Sequence, residues 1–103
     1  MTVTKCDIAT LVQDAKLGRT DQLGSLLSLY QNYLNILASS QLDRRVRQRV
    51  NPSDVVQETM LAAHRDFAAF RGNSPAEFVS WLRQVLINVL HGIIDRHVKA
   101  SKR

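Results

Sequence analysis

The sequence predicts an all-helical fold, in which three long helices pack around a leucine-rich core with a short N-terminal helix beside them. Only four Gly and two Pro interrupt the 103 residues, and aromatic residues make up just 6%. Strands favour aromatic and β-branched residues with turn residues between them, so this composition argues against a sheet. Apolar residues recur instead at intervals of three and four, which marks one face of a helix. Hydrophobic residues make up 45% of the chain, enough for the single core of one domain.

The first two helices are predicted in the N-terminal part of the chain. A short helix is expected over Asp7–Leu17, because apolar residues lie there at helical spacing and Gly18 is a natural stop. A second helix is expected over about Asp21–Leu42, since aspartate is a favourable N-cap residue. Gln31 and Asn32 are candidates for a bend within this second helix.

The charged segment Asp43–Val50 is predicted to be a loop, and the third helix has a clear start after it. Asn51 can cap the helix, Pro52 suits its first position, and Asp54 lies three residues after the cap. Its predicted core-facing residues are Val55, Val56, Met60, Ala63, Phe67 and Phe70.

The turn Arg71–Asn73 ends the third helix, and either Gly72 or Asn73 can adopt the left-handed conformation there. The fourth helix opens on Ser74-Pro75-Ala76-Glu77, a capping box with proline at the first helical position, and is expected to run to about Lys99. Its predicted core stripe consists of Phe78, Leu82, Val85, Leu86, Val89, Leu90, Ile93 and Ile94. The opposite, solvent-facing stripe consists of Ser80, Gln84, Asn88, His91, Asp95 and Lys99.

Charge is distributed unevenly along the chain, which has a net charge of +5. Residues 54–70 carry three acidic side chains and one basic one, whereas residues 71–103 carry six basic and two acidic ones. A basic excess raises the expectation of a polyanionic partner, and two surfaces of opposite sign indicate two different partners. Solvated faces without a partner are an equally good interpretation of the charge pattern alone.

No constellation of residues indicates an enzyme, a metal site or a cofactor. His64, His91 and His97 lack metal-ligand spacing, and the isolated glycines form no phosphate-binding loop. Cys6 is the only cysteine, so no disulfide can form within the chain, which is typical of a reducing compartment such as the cytoplasm. Charged and polar residues interrupt the longest apolar stretch, Trp81–Ile94, so we expect no membrane span.

Asp54, Gln57 and Glu58 are spaced by three and four residues and therefore lie along one edge of the third helix. Capping and the helix dipole account for Asp54 by themselves. They do not account for Gln57 and Glu58, which have no basic residue four positions further on. We therefore expect an acidic edge without partners inside the chain, available to a basic partner.

Several motifs resemble those of a known family, and they occur in the family's order. Asn51–Met60 contains an Asp-x-Val-Gln-Glu signature, like the core-binding helix of sigma factors. Phe70–Ser74 is similar to the loop that follows this helix, and Phe78–Arg83 with Ile87–Asn88 resembles the promoter-reading helix. Leu26–Leu42 resembles the conserved helix that comes before. The chain is thus similar to region 2 of sigma-70 family RNA polymerase sigma factors, of the extracytoplasmic-function type.

This resemblance implies a division of the chain. Residues 21–100 would form the region 2 domain, residues 1–20 an N-terminal helix or extension, and residues 101–103 the basic start of a linker. A complete sigma factor needs a second DNA-binding domain for the −35 element, so we expect the chain to be part of a longer protein.

The resemblance also implies partners and site residues. Asp54, Gln57 and Glu58 would dock on the clamp helices of the RNA polymerase largest subunit. Promoter DNA would be bound at the −10 element as a single strand, with base reading by the loop and Asn88 and phosphate contacts from basic side chains. The residues implied in DNA binding are Arg71, Asn73, Ser74, Trp81, Arg83, Asn88, His91, Arg96, Lys99, Lys102 and Arg103. An anti-sigma factor is a further candidate partner.

Simpler interpretations stand beside these. Phe78 falls on the apolar stripe and is better explained as core than as a base-stacking residue. Trp81 borders both stripes and suits either role. A different function is also open: a small helical protein-interaction or adaptor module would use the acidic edge and leucine-rich stripes without reading DNA.

Overall fold

A computed structural model describes residues 5–18, 20–42 and 50–101 of the chain. The regular structure in these residues is helical throughout, so the predicted all-helical fold class is confirmed. The helices are α1 (Lys5–Lys16), α2 (Thr20–Leu29), α3 (Gln31–Gln41), α4 (Pro52–Asp66) and α5 (Pro75–Ser101), with a 3₁₀ turn at Phe67–Ala69. None of these helices, over the residues described, is long and apolar enough to cross a membrane.

The predicted second helix is divided into α2 and α3, because the helical conformation is interrupted at Tyr30. Tyr30 has φ −98° and ψ 1°, outside the helical values, and no side chain caps the new helix. The break lies next to Gln31 and Asn32, where a bend was expected. At the break, the Tyr30 ring packs against Phe78, with 5.6 Å between ring centroids. The kink therefore brings an aromatic ring of one helix onto the core side of another.

Helix α4 begins as its sequence predicts. The Asn51 side-chain oxygen accepts a hydrogen bond from the Ser53 backbone N–H at 3.0 Å, and Pro52 is the first helical residue. The helix tightens into the 3₁₀ turn at its end, where Phe67 and Phe70 are both buried. These two rings anchor the end of α4 in the core.

Helix α5 begins with the predicted capping box. The Ser74 hydroxyl accepts a hydrogen bond from the Glu77 backbone N–H at 3.2 Å and donates one to the Glu77 carboxylate at 3.0 Å. The prediction that Gly72 or Asn73 adopts the left-handed conformation is wrong, because neither residue has a positive φ. Gly18, at the end of α1, is the one residue with a positive φ (90°) among those described.

The core follows α5 from Phe78 to Ile93. Phe78, Leu82, Leu86, Leu90 and Ile93 are buried, which confirms the predicted stripe. The remaining members of the stripe, Val85, Val89 and Ile94, are half-buried. The polar stripe is exposed from Ser80 to Asp95, while the side chain of Lys99 lies outside the described residues.

Helices α4 and α5 form an antiparallel hairpin against which the other helices pack. At one end of the hairpin Glu58 contacts Arg96, and at the other Phe67 contacts Phe78 and Trp81. The candidate site residues are distributed along this hairpin and the loop that joins its two helices.

Candidate nucleic-acid and protein interface

The acidic edge lies on the first half of α4 and faces solvent. Asp54, Gln57 and Glu58 are all exposed, as the helical spacing predicted. Together with Leu61 and Arg96 they border a shallow depression of about 340 Å³ between α4 and α5. The surface therefore offers both carboxylates and a recess to a partner.

Glu58 has a partner within the chain, which corrects the expectation of an unpaired acidic edge. The Arg96 guanidinium donates to both Glu58 carboxylate oxygens at 3.3 Å. The side chains are 67% and 47% exposed for Arg96 and Glu58 respectively. Ion pairs with this much exposure contribute at most about 1 kcal/mol, because water competes for both charges. The pair is thus available for exchange with other partners.

Leu61 is a further candidate interface residue that the sequence analysis missed. It is 70% exposed, one turn beyond Gln57 and Glu58 on the same side of α4. An apolar side chain beside polar and charged ones matches the composition of protein interfaces. The sequence could have indicated this residue, because Leu61 is a large apolar residue that lies outside the predicted core stripe of α4.

The loop Arg71–Ser74 joins α4 to α5, and its residues differ in their exposure to solvent. Arg71 and Asn73 are exposed, Ser74 is half-buried, and Gly72 is buried. The Ser74 hydroxyl is engaged in the capping box, and the Asn73 backbone N–H donates to the Glu77 carboxylate at 3.5 Å. The outward side chains of Arg71 and Asn73 are therefore the ones best placed to meet a ligand.

Gly72 is required by close packing. A Cβ atom on this residue would lie 2.6 Å from the Glu77 Cβ and 2.8 Å from two ring atoms of Phe70. Contacts under 3 Å are not seen for real Cβ atoms, so any larger residue would push the loop away from α5.

All six aromatic residues of the chain belong to one cluster at this end of the hairpin. Phe78 is fully buried and contacts the rings of Tyr30, Phe67, Phe70 and Trp81. Its assignment to the core is confirmed. Trp81 is half-buried, and its ring lies 5.4 to 5.9 Å from three phenylalanine rings. Phe70 and Phe78, which flank the loop Arg71–Ser74, both belong to this cluster. The cluster therefore anchors the chain on both sides of the loop.

The candidate DNA-binding residues of α5 do not share one face. Asn88 and His91 are exposed on the polar stripe, and the Asn88 side-chain oxygen accepts a hydrogen bond from Gln84 at 2.9 Å. Arg83 is also exposed, but it precedes Asn88 by five residues and so points roughly 140° away around the helix. Arg96 lies about 30 Å along the axis from the start of α5, beside the acidic edge rather than the loop.

Some predicted contacts lie outside the described residues. These are the side chain of Lys99 and the tail residues Lys102 and Arg103. Their contacts with phosphates stay predictions. The segment 43–49 of the predicted loop also lies outside the described residues.

The pKa values of the Asp66 carboxyl and the Tyr30 hydroxyl differ from the ordinary values of these groups. Arg65 donates two hydrogen bonds of 3.0 Å to Asp66, and this contact holds the pKa of the Asp66 carboxyl below its ordinary value. Burial raises the pKa of the Tyr30 hydroxyl.

No cluster of His, Cys, Asp and Glu that could hold a metal ion occurs in the part of the chain that the structure describes.

The chain matches the model of a known family. The family model described as Sigma-70 region 2 matches residues 29–103. The matched segment includes α3, α4 and α5, and therefore the acidic edge and the loop, whereas α1 precedes it. Comparisons with curated proteins and with solved structures give no match.

Proposed function

Because the chain belongs to the sigma-70 region 2 family, we propose that it docks on the clamp helices of RNA polymerase through α4 and reads the promoter −10 element through the α4–α5 loop. The family acts in transcription initiation, with RNA polymerase and promoter DNA as its partners, and it is not catalytic. We further propose that the chain is of the extracytoplasmic-function subtype and that it binds the −10 element as a single strand.

The observation that carries the docking step is the exposed edge of α4. Gln57 and Glu58 face solvent beside Leu61, and none of the three is needed to fill the core. An exposed leucine flanked by polar groups can supply the desolvated centre of an interface, with the acidic groups steering a basic partner towards it. We therefore assign polymerase binding to Asp54, Gln57, Glu58 and Leu61.

Promoter reading is supported by the close packing of the loop backbone and the exposure of two of its side chains. Arg71 and Asn73 point outward from a backbone that Gly72 packs against Phe70 and Glu77. A base that leaves a duplex loses stacking worth a few kcal/mol, so a protein that captures it must offer contacts that are already in place. Arg71 and Asn73 would hydrogen-bond bases, and the half-buried Trp81 would offer a stacking surface.

The rest of the DNA would be held by charge. The candidate phosphate contacts, which give affinity without sequence information, are Arg83, Arg96, Lys99, Lys102 and Arg103. Asn88 and His91 would extend the reading surface along α5, and the Gln84 side-chain amide orients Asn88 by donating a hydrogen bond to its side-chain oxygen.

The docking step is tested with the double variant Gln57→Ala/Leu61→Ala and purified core polymerase. We expect binding to weaken by roughly tenfold or more, because interface centres lose over 1 kcal/mol per truncated residue. Leu17→Ala is the matched control, since Leu17 is 75% exposed just after α1 and lies on neither of the candidate protein-binding surfaces. Undiminished binding of a double variant with normal helical content would rule out docking through this edge.

A protein-interaction module without DNA reading is the second candidate. Leu29 at the end of α2 and Ile36 on α3 are both exposed, so this part of the chain presents apolar side chains to solvent. Such a surface suits a protein partner, of which an anti-sigma factor is one example. Salt-dependent binding of the polymerase complex to single-stranded −10-like DNA separates the candidates, because only the sigma-factor proposal expects it.

A further inference from the structure

Helix α1 contacts the loop although it lies outside the family match. The Lys16 ammonium donates a hydrogen bond of 2.6 Å to the Gly72 carbonyl oxygen, and the Gln13 side-chain amide donates one of 3.2 Å to the Asn73 carbonyl oxygen. Two successive peptide groups of the loop are thus held by one turn of α1. No local pattern in the sequence predicted either contact, which join residues 56 and 60 positions apart.

Lys16 makes a second contact with the same part of the molecule. Its ammonium lies 5.6 Å from the centroid of the Phe70 ring, within the range of a cation–π interaction. Phe70 in turn packs against the position that Gly72 occupies. Lys16 therefore ties the aromatic cluster and the loop backbone together at one point.

The loop backbone depends on side chains because residues 70–73 form no regular secondary structure. The Glu77 carboxylate accepts from the Asn73 N–H on one side, while Gln13 donates to the Asn73 carbonyl on the other. A hydrogen bond from a charged donor, such as that of Lys16, is roughly twice as strong as one between neutral groups. The contacts from α1 are thus a large part of what fixes the loop.

Helix α1 is itself a fixed platform. Val12 and Ala15 are buried in the core, and the helix packs on both α2 and α5. Gln13 and Lys16 are three residues apart and so project from the same side of this anchored helix. Their donors consequently reach the loop from a rigid support.

We propose that α1 is a positioning element for promoter reading, in which Lys16 and Gln13 set the backbone of Gly72 and Asn73. This inference rests on the proposed function. A loop that is held in its binding conformation avoids the ordering cost on association, and it presents Arg71 and Asn73 in one arrangement. Lys16 and Gln13 are positioning residues, and their effect is on the choice of DNA sequence.

The competing role for Lys16 is a direct phosphate contact. A phosphate contact would raise affinity for every DNA sequence alike and would add about one unit to the salt dependence of binding. A positioning role affects the preferred strand above all and leaves the salt dependence unchanged. The two roles therefore differ in measurable ways.

The first experiment measures the loop itself, without DNA. Trypsin cleaves after arginine, so the rate of cleavage between Arg71 and Gly72 in the folded chain reports opening of the loop. In Lys16→Met we expect this cleavage to accelerate by roughly tenfold, as loss of a charged hydrogen bond implies. Lys16→Arg should restore protection, because a guanidinium can donate to the same carbonyl. Arg65→Met is the control, since it removes one positive charge that is paired with Asp66 and not with the loop.

The second experiment measures sequence choice by reconstituted holoenzyme. A pool of single strands randomised over the −10 positions identifies the preferred strand of the wild-type chain. The affinity ratio between that strand and a scrambled one should fall by roughly tenfold in Lys16→Met, with an unchanged salt slope. Gln13→Ala should lower the ratio less, because its donor is neutral.

The outcomes separate this inference from the function on which it rests. Unchanged cleavage at Arg71 in Lys16→Met overturns the positioning role, whatever the DNA measurement shows. Equal loss on both strands with a reduced salt slope also overturns it and makes Lys16 a phosphate contact. If the wild-type holoenzyme shows no preference among strands, promoter reading fails, while faster cleavage at Arg71 would still show that α1 holds the loop. Should Lys16→Met fold poorly, Gln13→Ala provides both measurements in its place.

Discussion

Arg96 on α5 reaches across the hairpin and hydrogen-bonds both carboxylate oxygens of Glu58 on α4. The pair joins a residue that is predicted to bind DNA with one that is proposed to bind the polymerase. Because both side chains are largely exposed, the ion pair holds neither firmly. A basic group of the polymerase that engages Glu58 would therefore release Arg96 for a DNA phosphate.

The first prediction concerns the stability of this pair. A double-mutant cycle with Glu58→Gln and Arg96→Gln should give a coupling of about 1 kcal/mol or less in the free energy of unfolding, since solvent screens both charges. Urea denaturation of the four chains measures it. A coupling above about 2 kcal/mol would mean that the pair is part of the framework and not free to exchange partners.

The second prediction concerns Gly72. Gly72→Ala should destabilise the fold by about 1–3 kcal/mol, because its Cβ would overlap Glu77 and Phe70. Gly24→Ala is the matched control. It places the same methyl group where no atom lies within 4 Å, in the interior of α2, and should stabilise by about 0.5–1 kcal/mol. Thermal unfolding measures the stability of both variants. Equal changes in stability would contradict the conclusion that close packing requires glycine at position 72.

The third prediction concerns the aromatic cluster. Phe78→Ala should cost about 3–5 kcal/mol of unfolding free energy, because the ring is 0% exposed and contacts four other rings. Trp81 is the only tryptophan and contacts Phe78, so its emission should shift to longer wavelength as water enters the cavity. A loss under about 1 kcal/mol would contradict the central position of this ring.

The fourth prediction separates base reading from phosphate binding. Alanine at Arg71, Asn73 or Asn88 should cost roughly 1–3 kcal/mol on the preferred −10 strand and much less on a scrambled strand. Alanine at Lys99, Lys102 or Arg103 should weaken binding to both strands equally and lower the salt slope by roughly one unit. Holoenzyme binding to pre-melted promoter DNA measures both, because the cost of opening the duplex is removed. Loss at Asn73 and Asn88 that is equal on both strands would mean that DNA affinity here is only electrostatic.

The fifth prediction concerns pH. The Asp66 carboxyl has its pKa lowered by the hydrogen bonds from Arg65, so its ionised form is favoured in the folded state. Its contribution to stability is therefore present above the ordinary aspartate pKa of about 3.9 and is lost as pH falls through the lower folded value. In Arg65→Met the pKa should rise towards the ordinary value. A carboxyl titration followed by NMR tests this, and an unchanged Asp66 pKa in the variant would contradict the assigned cause.

Local features of this protein could be predicted from its sequence because they depend on residues a few positions apart. The Asn51 cap, the Ser74–Glu77 capping box and the buried stripe of α5 all involve spacings within one or two turns. The exposure of Gln57, Asn88 and His91 followed from the same helical geometry. The family motifs were readable for the same reason, since each is a short run on one helix or loop.

Contacts between distant residues were decided by the tertiary structure. The sequence shows that Glu58 and Lys16 are charged, but a charge carries no information about its partner. Only the packing of α5 on α4 brings Arg96 to Glu58, 38 residues away, and only the position of α1 brings Lys16 to the Gly72 carbonyl. Gly72 likewise suggested a left-handed turn, whereas packing against Phe70 and Glu77 is what requires it. Local sequence therefore determined where the helices begin and which faces they bury, and the arrangement of those faces determined which polar groups meet.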